Sequence, residues 1–162
     1  MAAQKQPLPD FRDVARQLKK EAYAASSKIG RSPSWVITKI KELEDLGVVI
    51  SGKILVRFYL ASRPRTMEII GDAVGVVRRY FPESQIILRY CAFPQHNGKV
   101  HMGHLVILAT ASRYDDDVLA RIELVNSELG NLNKDADGFI YASVSWVEKE
   151  DHEEGDFGID DC

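Results

Sequence analysis

Residues 29–49, I-G-R-S-P-S-W-V-I-T-K-I-K-E-L-E-D-L-G-V-V, constrain the fold of this chain more than any other stretch. Ser32 is a good helix N-cap, and Pro33 suits the first helical position, where its missing N–H costs nothing. Val36, Ile40 and Leu43 fall at i, i+4 and i+7, so the helix has one apolar stripe to bury. Gly47 stands where a left-handed C-cap is wanted, and an apolar strand signal follows it. A turn, a capped amphipathic helix and a glycine stop therefore come in that order. One face must pack, and the other is presented.

The preceding residues allow two arrangements. Phe11, Ala15, Leu18, Ala22, Ala25 and Ile29 form one unbroken stripe, and neither Gly nor Pro interrupts residues 10–29. These residues form either one long helix, giving a helical hairpin, or two helices separated by a turn.

The 162 residues suit one domain or two small ones, with 45% apolar residues to build a core. No apolar run is long enough to span a membrane, and the polar residues 1–9 do not read as a signal peptide. Cys91 and Cys162 supply no disulfide framework, so a reducing cytoplasm is the expected location. The net charge of −3 is unevenly placed. Residues 148–162 hold eight acids against Lys149 alone, which leaves residues 1–147 at +4. Such a tail has little to bury and is expected to be disordered, either as a solubilising arm or as a competitor of nucleic acid for basic surface.

Beyond residue 50, strand and helix periods alternate. Strands are predicted at 53–60, 85–93, 99–111 and 138–147, and helices at 66–81 and 114–129, the last stopped by Gly130. Asn97-Gly98 signals a tight hairpin that pairs His96 with Lys99, Pro94 with His101, Phe93 with Met102, and Cys91 with His104. The order β-α-β-β-α-β predicts an α+β fold: an N-terminal helix-turn-helix or helical hairpin (1–50), then a ferredoxin-like domain with a four-stranded antiparallel sheet (51–147), then the acidic tail (148–162).

The spacing of Gly30, Ser32, Val36, Lys39, Ile40, Leu43, Gly47 and Val48 resembles the Lrp/AsnC transcription regulators. That resemblance implies a DNA-binding helix-turn-helix joined to a βαββαβ effector domain, a dimer or larger assembly, and sensing of a small molecule. The chain departs from the family pattern at Lys39, where an Arg is usual, and in the acid Glu42 and the bulky Trp35 on the same helix. Lys lacks the two-pronged donor set with which Arg reads a guanine edge.

On this reading double-stranded DNA is the partner, contacted by Lys28, Arg31, Ser34, Trp35, Thr38, Lys39 and Lys41. Ordinary solvated ion pairs such as Lys39–Glu42 and Lys41–Asp45 would explain the same charges. Trp35 and Ile37 lie off the buried stripe and suit a second reading, a protein assembly module without DNA binding.

Alternation predicts that Ile54, Val56, Phe58, Ile86, Leu88, Leu105, Ile107, Ile140 and Val144 form the covered sheet face. The opposite face would collect Arg57, Tyr59, Arg89, Phe93, Met102 and Tyr141 for a second copy or an effector, and would place Cys91 beside His104. Thiolate and imidazole are metal ligands, yet two do not make a tetrahedral site, so neither a metal nor another cofactor is expected. Asp115, Asp116 and Asp117 read as first-turn acids that complement a helix dipole. No Ser/His/Asp spacing, glycine-rich phosphate loop or paired carboxylates point to an enzyme.

Overall fold

The structure, a computed structural model, describes residues 10–29, 34–92, 103–113 and 115–146. Its elements run α1 (Phe11–Ile29), α2 (Ser34–Asp45), β1 (Val48–Ser51), α3 (Lys53–Ser62), α4 (Pro64–Tyr80), β2 (Ile86–Cys91), β3 (His104–Ala111), α5 (Asp116–Asn133) and β4 (Ile140–Trp146). Residues 11–29 are one continuous helix, so no turn divides them, and the helix packs chiefly along α3 rather than pairing with α2. Helix α2 buries Val36, Ile40 and Leu43, the expected stripe. It ends where Gly47, at φ 81°, donates its N–H to the Glu44 carbonyl at 2.8 Å.

Residues 53–60 were expected to form a strand, and this expectation is overturned. Their Ile, Val, Phe and Tyr content favours strands as a local preference. Gly52, however, adopts φ 64°, a left-handed conformation that turns the chain out of β1 and into α3. The side chains this segment buries are Val56, Tyr59 and Leu60, at helical spacing, while Ile54 is left 56% exposed. Helix α3 packs along α1. A helical partner and a left-handed entry outweigh β-propensity here.

That displacement changes the sheet. The strand order is β1-β2-β3-β4, with β1 parallel to β2, β2 antiparallel to β3, and β3 parallel to β4. The ferredoxin-like antiparallel sheet is thus corrected to a mixed α+β sheet. Parallel neighbours need crossovers, and the chain provides them through α3–α4 and through α5. The one antiparallel step has the predicted pairing of Cys91 with His104. The other three predicted hairpin pairs lie outside the described residues.

One buried cluster joins Val14 and Leu18 of α1, the α2 stripe, Tyr59 and Leu60 of α3, Met67 and Ile70 of α4, and Val125 and Leu129 of α5 to one sheet face. That face consists of Ile86, Leu88, Tyr90, Leu105, Ile107, Ala109, Ile140 and Ala142, so the predicted covered face stands for β2, β3 and β4. Helix α5 runs past Gly130 to Asn133. Its Asn126 and Asn133 each close a two-bond ring on the backbone of β4, at Ala142 (2.9 and 2.8 Å) and Ile140 (2.7 and 3.0 Å). These amides occupy donors and acceptors that the outer edge of β4 would otherwise expose.

The start of α4 is capped from a distance. Arg63, at its N-cap position, offers no side-chain bond, and Pro64 opens the helix. The Asp137 carboxylate instead accepts from the Arg65 N–H (3.2 Å), the Thr66 N–H (2.9 Å) and the Thr66 hydroxyl (2.9 Å). Orphan amides of the first turn are thereby satisfied across more than seventy residues of sequence.

Candidate nucleic-acid interface

The surface built by α1 and α2 follows from which stripe each helix buries. Helix α1 turns Val14 and Leu18 inward and leaves Arg12, Arg16, Lys19 and Lys20 exposed. Arg12, Arg16 and Lys19 or Lys20 recur at helical spacing, so they share one side of the helix. Arg16 has one acid nearby, Asp13 at 3.6 Å, and both side chains are open to water, so the pair counts for little. Glu21 is directed elsewhere, to Arg63 at 3.1 Å in a half-buried pair.

On α2 the exposed positions of the first two turns are Ser34, Ile37, Thr38 and Lys41. All three acids of the helix, Glu42, Glu44 and Asp45, fall in its last turn. Two of them are answered locally: Glu42 by Lys39 at 2.7 Å, and Glu44 by Lys53 of α3 at 2.6 Å. The end of α2 that would lead into a groove therefore carries no acid among its described residues. Helix-turn-helix proteins read base edges with that N-terminal end.

Of the residues predicted to contact DNA, Ser34, Thr38 and Lys41 are exposed on α2. The Thr38 hydroxyl donates to the Ser34 carbonyl at 3.1 Å. Lys39 is half-buried and paired with Glu42, and Trp35 is half-buried against the core. Lys28 lies in the last turn of α1, and Arg31 is outside the described residues. No sequence signal separated the paired Lys39 from the exposed Lys41, because the difference depends on how α2 sits on the body.

Charge in the whole chain is segregated in the same sense. Residues 1–63 hold twelve Lys and Arg against six acids, and residues 64–147 hold eight against ten. The positive charge of the body thus belongs to the N-terminal helices. Sequence reading placed it only in residues 1–147 as a whole, although the finer division was available from composition.

The six residues predicted for a ligand or dimer face are not brought together. Arg57 and Tyr59 lie on helix α3 rather than on a strand, with Arg57 exposed and Tyr59 in the core, 1% exposed. The Tyr59 hydroxyl accepts from the Phe139 N–H at 3.0 Å, and burial pushes the phenol's pKa above its usual value. Arg89 and Tyr141 do share the open sheet face, on either side of Val106. Phe93 and Met102 are outside the described residues.

Cys91 and His104 face each other on that side of the sheet. The Cys91 sulfur is in a disulfide, so it offers no thiolate to a metal. No group of three His, Cys, Asp or Glu suited to a metal occurs among the described residues. His104 rests against Tyr141, with ring centroids 5.2 Å apart, and its burial lowers the imidazole pKa below 6.5. Of the three aspartates, Asp115 is the cap of α5 and accepts from the Val118 N–H at 2.9 Å, while Asp116 and Asp117 fall in the first turn, where Asp117 pairs with Arg121 at 3.1 Å.

A cavity of about 330 Å³ opens where the α4–β2 turn meets the β3–α5 connection. Phe81 and Val118 contribute its apolar lining, and Ser84, Ser112, Arg113 and Arg121 its polar lining. Arg121 lies 4.7 Å from the Phe81 ring and donates to the Tyr80 carbonyl at 3.0 Å. Sequence reading missed this place, which is assembled from two connections distant in sequence and the first turns of α5. Among the described residues no helix is long and apolar enough to cross a membrane. No family model matches the chain, and it matches neither a curated protein nor a solved structure.

Proposed function

We propose that the protein binds double-stranded DNA through α1 and the N-terminal half of α2, and that it regulates transcription from that position. The observation that carries this reading is the segregation of charge: twelve basic residues against six acids in residues 1–63, with the acids of α2 confined to its last turn. A basic surface of this kind releases counterions from the phosphate backbone and positions a helix for base contacts. Exposed Ser34, Thr38 and Lys41 are the groups available to base edges, and Arg12, Arg16, Lys19 and Lys20 suit phosphates. Self-association and a small effector, taken in the cavity beside Phe81 and Arg113, complete the proposal.

Anisotropy of labelled duplex DNA tests it. With about five phosphate contacts, affinity should drop on the order of several hundredfold between about 50 and 200 mM salt. Lys41→Glu should weaken binding by about tenfold, since it reverses a charge close to the backbone. Absence of binding to pooled genomic fragments at about 50 mM salt overturns the reading.

A second reading, a protein assembly surface without DNA binding, is favoured by one observation. Ile37 on α2, Leu46 just before β1, Val49 in β1 and Ile54 on α3 are 50%, 54%, 44% and 56% exposed. Exposed apolar side chains gathered within so short a stretch suit protein contact. If this reading holds, Ile37→Asp abolishes assembly, and neither the parent protein nor the variant binds duplex DNA.

A further inference from the structure

The two edges of the sheet differ. On β4 the amides of Asn126 and Asn133 occupy backbone groups of Ala142 and Ile140. On β1, residues 48–51 pair with β2 on one side, and among the described residues nothing bonds to the backbone on the other. In a parallel ladder every second residue turns its N–H and C=O away from the neighbouring strand, so this edge offers unused donors and acceptors. It carries neither Lys nor Pro, the residues that commonly keep a free edge from pairing. Val49 is exposed on it, with Leu46 just before and Ile54 just after also exposed.

We propose that β1 is the interface with a second copy of this chain: two β1 strands pair antiparallel across a two-fold axis and join two four-stranded sheets into one continuous sheet. This rests on the self-association read above and names the surface that carries it. Charge selects a second copy as the occupant. The chain enters β1 past Glu44 and Asp45 and leaves it at Lys53, so the two ends of the edge have opposite signs. Antiparallel self-pairing sets each end against its complement.

The register can be narrowed. Residues bonded across an antiparallel ladder must both face outward, so the axis passes at a residue, Val49 or Ile50, rather than between them. An axis at Val49 sets Asp45 opposite Lys53 of the other copy. An axis at Ile50 sets Leu46 opposite Ile54 of the other copy. Either way the acidic end of one strand meets the basic end of the other. Lys53 also reaches Glu44 of its own chain at 2.6 Å, whereas Asp45 is exposed and has no ion-pair partner among the described residues. Such a contact is isologous and closes at two subunits, and the occupied edge of β4 stops the sheet from growing further.

Sedimentation of the full chain between about 1 and 200 µM tests this, with a dissociation constant of about 10 µM expected for so small a contact. Amide hydrogen exchange of residues 48–51 should slow over the same range. Val49→Lys puts a charge on the edge at an exposed position, and should weaken the dimer about tenfold without lowering the thermal stability of the monomer. Asp45→Lys and Lys53→Asp each give a chain with like charges at both ends, so each alone should associate about tenfold more weakly. Mixed in equal amounts, these two variants should form a heterodimer as tight as the parent dimer, because each edge again meets its opposite. A misfolded variant could not give that rescue. A dimer unchanged by Val49→Lys, or charge variants that gain nothing on mixing, overturns the β1 pairing and leaves self-association standing. A monomer at about 200 µM overturns both.

Discussion

Replacing Asp137 by Ala should destabilise the protein although the residue lies at the surface. Its carboxylate supplies the cap that Arg63 and Pro64 cannot, and it holds both the amide and the hydroxyl of Thr66, which is 0% exposed. Loss of a capping side chain costs about 1 kcal/mol. The orphaned Thr66 hydroxyl adds about another 1 kcal/mol, because water reaches it poorly. The total of about 2 kcal/mol is a sizeable share of the 5–15 kcal/mol typical of a domain. With a urea m-value of about 2 kcal/mol/M, the unfolding midpoint should fall by about 1 M at unchanged slope. Asp137→Asn keeps an acceptor and should lose about half as much. In a double-mutant cycle, Thr66→Val should couple to Asp137→Ala by about 1 kcal/mol. A midpoint shift below about 0.25 M for Asp137→Ala, or strict additivity in the cycle, would show that water caps α4 just as well.

Three further outcomes follow from particular atoms. Gly103 has no room for a side chain: a Cβ there would sit 1.7 Å from the Cys91 carbonyl oxygen, so Gly103→Ala should lose more than about 3 kcal/mol in urea melts, or fail to fold. Burial depresses the folded-state pKa of His104 below 6.5, so its contribution is present above pH 6.5 and is lost as pH falls through the lower folded value. Stability should therefore decline from pH 7 towards pH 5, and His104→Asn should flatten that decline; identical profiles would refute it. Gly52→Ala forces a Cβ into the left-handed region at φ 64° and should cost about 1 kcal/mol, measured by thermal unfolding, with no steric clash to add to it.

Where local chemistry and burial agree, sequence and structure coincide. The α2 stripe of Val36, Ile40 and Leu43, the Gly47 stop, the first-turn acids Asp116 and Asp117 and the pairing of Cys91 with His104 are all of this kind. Each depends on neighbours within a few residues or on a hairpin register. Residues 53–60 show the opposite case. Their strand-like composition is a weak preference, and the buried contact with α1 together with the turn at Gly52 overrides it.

The candidate interface divides in the same way. Which residues are basic, and that they concentrate in residues 1–63, is a property of the chain alone. That Lys39 is spent on Glu42 while Lys41 stays open depends on the side of α2 that docks. Only the tertiary structure decided that Asp137 caps α4, that Asn126 and Asn133 close the edge of β4, and that Tyr59 belongs to the core rather than to a ligand face. Those contacts join residues up to eighty positions apart. Periodicity reports which face of an element is apolar, and it carries no information on which distant backbone group will meet that face.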